Sequence, residues 1–146
     1  MADTTYLKRV VEPFVREALA KEYGQRFVSR VLRLSSGGTH EFDAVSNDGR
    51  IVASIKSASG NTARGRIPSG KIKDSIAELY FLCLVSAPMR VLVLTSPEFY
   101  KILSRKLVGR LADGLSLRLV SLPQEIQDQV ERIQRVASEE VSRIDT

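Results

Sequence analysis

Glu41, Asp43, Ser54 and Lys56 are the side chains whose types and spacing could do chemistry. They lie in residues 35–61, SSGGTHEFDAVSNDGRIVASIKSASGN, where two alternating runs flank Asn47-Asp48-Gly49. An Asn/Asp-Gly pair between such runs predicts a β-hairpin, because these residues accept the positive φ of a tight turn. Alternation puts Glu41, Asp43 and Val45 on one face of the first strand and His40, Phe42 and Ala44 on the other. On the second strand it separates Val52, Ser54 and Lys56 from Ile51, Ala53 and Ile55. A loop of two or four residues sets Ser46 opposite Ile51, Asp43 opposite Ser54 and Glu41 opposite Lys56. A three-residue loop would exchange the faces. In the favoured register carboxylate, hydroxyl and ammonium gather on one face. Carboxylate oxygens are hard ligands for divalent cations, and an ammonium orients water and offsets developing negative charge. The plainer reading is an ordinary Glu41–Lys56 cross-strand pair beside a solvated Asp43.

The flanking elements must position these groups. Residues 4–23 predict an amphipathic helix carrying Leu7, Val10, Val11, Phe14, Ala18 and Leu19 on one face, stopped by Gly24. Pro13 either kinks it or sits in the first turn of a regular part that begins near Glu12. Residues 26–34 predict a strand. Residues 57–70 predict a Ser/Gly/Arg-rich loop, and Ser69 or Gly70 is expected to cap a helix over 71–86 with Ile72, Ile76, Leu79, Tyr80 and Cys83 buried. The apolar run RVLVLT (90–95) reads as a strand covered on both faces. A helix follows from Pro97 to about Leu111, then a strand over 115–121 and a final helix over about 123–144. Helix, three strands, then alternating helices and strands predict an α/β domain spanning 1–146, with a mixed sheet flanked by helices. The crossover from the hairpin to RVLVLT should be right-handed.

Composition narrows the function classes. The 146 residues are 43% hydrophobic and 27% charged, as in an ordinary globular domain. No apolar run is long enough to span a membrane and no basic-then-apolar leader is present, so a cytoplasmic location is expected. Cys83, the single cysteine, is expected as a buried core thiol. His40 is the single histidine and is expected on the face away from Asp43, which argues against a zinc or His-based nucleophilic site. Glycine-rich phosphate loops, CxxC pairs and dinucleotide fingerprints are missing. The net charge is +5, and Arg64, Arg66, Lys71 and Lys73 cluster ahead of Asp74, a pattern that suits phosphate contacts with DNA and equally a solvated surface loop.

The order of elements, with Asp43 on one strand and Ser54-Ile55-Lys56 on the next, resembles the PD-(D/E)XK nuclease superfamily over about residues 6–95. Its core is a helix, a three-strand meander, a helix and a further strand. Phe42-Asp43 stands where Pro-Asp is common, and Ser54-Ile55-Lys56 where Glu-x-Lys is expected. Glu12 resembles the first-helix glutamate of the restriction-enzyme and junction-resolvase branches. The resemblance implies a restriction-endonuclease-like fold and hydrolysis of DNA phosphodiesters with Mg²⁺ or Mn²⁺. It makes Asp43 the central metal ligand, the Ile55 carbonyl a further one and Lys56 the catalytic cation.

Ser54 departs from that pattern, since a neutral hydroxyl does not replace a carboxylate. Three accounts stand. The second carboxylate has moved to the following helix, as in some restriction enzymes, making it Asp74 or Glu78; helical spacing puts both away from the expected Ile72/Ile76/Leu79 stripe. Glu41, beside Asp43, supplies it instead. Or the metal has been lost, and the fold binds nucleic acid or a protein partner without cutting. A third function class is an assembly protein that pairs, as a homodimer or with a partner, through the Ile126/Val130/Ile133/Ala137 face of the last helix. Such a stripe is more often simply the face that packs on the sheet.

Overall fold

A computed structural model of the chain describes residues 4–58 and 68–144, with side chains on the last helix described through residue 136. A single turn, α1 (Thr4–Tyr6), continues through a π-helical stretch (Leu7–Val11) into α2 (Glu12–Tyr23). Pro13 explains the widened turn. It has no N–H and its ring crowds the preceding turn, so the regular helix starts with Pro13 in its first turn. The Glu12 amide instead reaches back five residues to the Leu7 carbonyl. Gly24, at φ 68°, ends α2 as expected, its N–H on the Ala20 carbonyl.

The strands β1 (Phe27–Arg33), β2 (Thr39–Ser46), β3 (Ile51–Lys56), β4 (Met89–Leu94) and β5 (Leu115–Leu119) form one five-stranded sheet in chain order. The first three are antiparallel, and β3, β4 and β5 are parallel. The expected mixed sheet flanked by helices is therefore present. Residues 47–50 form the hairpin loop, with Gly49 at φ 74° and its N–H on the Ser46 carbonyl. Asp48 braces the loop by accepting from Ser46 Oγ (2.8 Å) and from the Arg50 amide (3.0 Å). These bonds hold its carboxyl below the usual range.

Two helices join the parallel strands: α3 (Ser69–Leu84) between β3 and β4, and α4 (Pro97–Lys106) between β4 and β5. Ser96 caps α4 by accepting from the Phe99 amide, whereas α3 starts directly after Pro68 without a side-chain cap. α4 also stops at Lys106, short of Leu111. On one face of the sheet Val45, Val52 and Leu92 pack with Leu79 and Leu82 of α3 and Phe99 of α4. On the other, Ala44, Ala53, Ile55 and Val93 pack with Val15 and Leu19 of α2. The last helix, α5 (Gln124–Ile144), buries Val130 and Ile133, and Gln134 donates to the Ser57 carbonyl (2.7 Å). None of the described helices is long and apolar enough to cross a membrane.

Two expectations are overturned by packing. The buried side of α3 is Ile72, Ser75, Leu79 and Leu82, while Ile76 and Tyr80 are 40% and 60% exposed. Cys83 is exposed as well. Nearly every position of this helix that is not charged is apolar, so periodicity left its orientation open, and contact with the sheet decided it. The second difference is a bulge. Val28 pairs with Val45 but Arg30 pairs with Phe42, so β2 spends an extra residue, around Asp43 and Ala44, against Ser29. Phe42 and Val45 consequently share one core and Ala44 belongs to the other, against the regular alternation.

Candidate carboxylate site

The β2–β3 ladder runs Ala44↔Ala53 and Val45↔Val52, the register expected from the turn. Beyond these pairs the Asp43 carboxylate, at the bulge, accepts the Ile55 amide hydrogen at 2.8 Å. Burial raises the Asp43 pKa most, and the nearby Glu78 charge raises it further. The Ile55 bond, Lys56 and Arg16 pull the other way without cancelling the rise. Asp43 thus sits in the electrostatic reach of both Glu78 and Lys56.

Ser54, fully buried on β3, donates to Glu78 Oε1 at 2.7 Å. Glu78 is one of the two following-helix positions considered above for the second carboxylate, and the orientation of α3 accounts for its place. With Ser75, Leu79 and Leu82 against the sheet, residue 78 falls on the same side rather than away from it. Asp74, one turn earlier, is exposed and takes no part. The same Glu78 Oε1 lies 2.9 Å from His40 Nε2. His40 was expected on the face away from Ser54 as well as from Glu41 and Asp43; it lies opposite Glu41 as expected but shares Glu78 with Ser54. The bulge lies between it and the rest of β2, so His40 and Phe42 both face α3, where His40 stacks on Phe81 with ring centroids 4.1 Å apart.

Glu41 and Glu12 belong to the opposite side of β2. Glu41 accepts from Ser29 Oγ (3.0 Å) and, with Lys8, Glu12, Arg16 and Asp43, lines a surface cavity of ≈ 390 Å³. The expected Glu41–Lys56 ion pair is not formed. Arg16, four residues after Glu12, lies 3.8 Å from its carboxylate and donates to the Asp43 carbonyl at 2.9 Å. Burial and then the Asp43 charge raise the Glu12 pKa. Arg16 had no sequence signal beyond the i,i+4 pairing.

Lys56 and Ile55 end β3 beside a second cavity, ≈ 270 Å³, lined also by Glu12, Lys71 and Gln134. Half-buried Lys71 has its pKa lowered by desolvation, and Lys73 is exposed. Arg64 and Arg66 lie outside the described residues.

A hard divalent cation fits the donor types here, though in a limited way. Asp43 and Glu78 each use one oxygen in the bonds just described, and among the described residues Asp43 Oδ1 and Glu78 Oε2 carry none. However, no group of three or more His, Cys, Asp and Glu side chains among the described residues is arranged to hold a metal ion. Asp43 and Glu78, each with one oxygen outside these bonds, are the two carboxylates that meet the Ser54–Ile55 stretch of β3. No protein-family model matches the chain, and neither a curated protein nor a solved structure matches it.

Proposed function

We propose that the chain is a Mg²⁺- or Mn²⁺-dependent nuclease of the PD-(D/E)XK type, acting on DNA, with Glu78 in place of the missing strand glutamate. The observation that carries this reading is the Ser54–Glu78 bond of 2.7 Å. The residue that breaks the Glu-x-Lys pattern is bonded to a carboxylate from the next helix. The order of helix, meander, helix and strand supports the same reading. Asp43, Glu78 and the Ile55 carbonyl would hold the cation. When bound, it stabilises charge on the phosphoryl oxygens and lowers the pKa of the attacking water. Lys56 would orient that water and offset negative charge at phosphorus, and Glu12 lines a surface cavity together with Asp43. Lys71, Lys73, Arg64 and Arg66 hold the DNA backbone.

A second reading is a silent module of this fold that binds nucleic acid without cutting. It is favoured by the lack of a group of three metal-ligating side chains among the described residues. Titrating Mg²⁺ and Mn²⁺ against plasmid and branched DNA separates the two. The nuclease reading expects metal-dependent cleavage by wild type, abolished in Glu78→Ala, Asp43→Ala and Lys56→Ala. Cleavage that survives Glu78→Ala moves the second carboxylate elsewhere. Salt-sensitive binding without metal uptake or cleavage establishes the module.

A further inference from the structure

We infer that His40 is a positioning residue of this site: its ring N–H holds one oxygen of Glu78 and so leaves the other to the cation. The inference rests on the reading of Glu78 as a ligand. A carboxylate only accepts hydrogen bonds, so the 2.9 Å contact requires the hydrogen on His40 Nε2. Ser54 donates to the same oxygen at 2.7 Å. Two donors converging on Oε1 fix a side chain that otherwise has several rotatable bonds, and Oε2 is the oxygen left over.

The imidazole is itself held. It stacks on Phe81 at 4.1 Å between centroids, 8° from parallel, and meets the edge of Phe42 at 4.8 Å. Phe81 lies three residues after Glu78, so α3 supplies both the carboxylate and the wall that aims its partner. Metal sites commonly owe ligand orientation to such outer partners, whose loss weakens metal affinity by about 10–100-fold.

Two substitutions at His40 separate the donor from the ring. His40→Gln keeps an N–H near the Nε2 position and loses the stack, while His40→Phe keeps the stack and loses the donor. Mn²⁺ affinity is read by calorimetry without DNA, and folding by circular dichroism in EDTA. The expected result is a loss of about 10–100-fold in His40→Phe and affinity close to wild type in His40→Gln. A purely structural histidine gives the reverse, and that result overturns the inference, as does equal weakening in both folded variants. If His40→Phe fails to fold, His40→Met, similar in length to Gln but lacking the donor, takes its place with the same criteria. Wild type that takes up no Mn²⁺ overturns the nuclease reading and this inference together. Wild type that binds, with His40→Phe binding equally well, overturns this inference alone.

Discussion

Replacing Ser54 by glutamate restores the Glu-x-Lys pattern on paper, yet the structure predicts a severe loss of stability. Ser54 is fully buried, and its hydroxyl oxygen is 2.7 Å from Glu78 Oε1. A glutamate at this position brings a second carboxylate to roughly 4 Å from the first. At an effective dielectric constant of about 20 the repulsion is 332/(20 × 4), or about 4 kcal/mol. Loss of the charge-assisted hydrogen bond costs about 1.5–3 kcal/mol, and the extra atoms in a packed site about 1–3 kcal/mol. These costs overlap, but together they rival the whole stability of a typical domain, about 5–15 kcal/mol. Urea unfolding followed by circular dichroism in EDTA is the assay, run above neutral pH so that protonation of one carboxylate does not hide the repulsion. Adding Glu78→Gln should recover most of the electrostatic part. Mn²⁺ at 100 times its Kd should add about 2.7 kcal/mol to Ser54→Glu if both carboxylates hold it. Ser54→Glu within about 1 kcal/mol of wild type in EDTA would refute the claim that Ser54 faces Glu78, since surface substitutions are typically this mild.

Three further outcomes are expected. Asp43 has a folded pKa raised by burial and by Glu78, so its contribution to stability is lost as pH rises from the ordinary carboxylate range through the raised value. Asp43→Asn keeps an acceptor for the Ile55 amide, so without metal its melting temperature relative to wild type should climb with pH over that window; a pH-independent difference sinks the argument. Lys71→Gln with Lys73→Gln should flatten the slope of log affinity for DNA against log salt by up to about 2 × 0.9 if each contacts a phosphate, and an unchanged slope excludes both from the interface. Cys83 should react with a thiol reagent in the native protein nearly as fast as in urea, because it is exposed; strong native protection contradicts the orientation of α3.

The element order, the hairpin register and the end of α2 were legible because each rests on local chemistry: apolar runs, an Asn-Asp-Gly turn, and glycine at positive φ. Pro13 announced a break and left its form open, which the π-helical stretch resolved. The site was half legible. Asp43, Ser54 and Lys56 stood out by spacing, whereas Glu78 and His40 were turned the wrong way. Both errors are tertiary in origin. The apolar surface of α3 goes around the helix, so Ile76 and Tyr80 competed on equal terms with Ser75 and Leu82 for the sheet. No residue between Glu41 and Val45 advertises an extra position in β2, so strict alternation carried His40 to the wrong layer. The Ser54 hydroxyl carried no hint of its partner, because that partner lies 24 residues further along the chain.

The bulge in β2 makes residue count, more than residue type, the fragile quantity in this strand. Its two ends follow opposite parities, joined where two residues of β2 face Ser29 alone. Deleting one residue at Ala44 would return the strand to a single parity and swing His40 and Phe42 out of their layer together. Every side chain but the Ala44 methyl would be retained, yet the imidazole would lose Glu78 and one core would lose the Phe42 ring. Point substitutions along β2 test contacts one at a time. A one-residue deletion tests whether the two halves of the strand are kept out of step, and the site depends on their staying so.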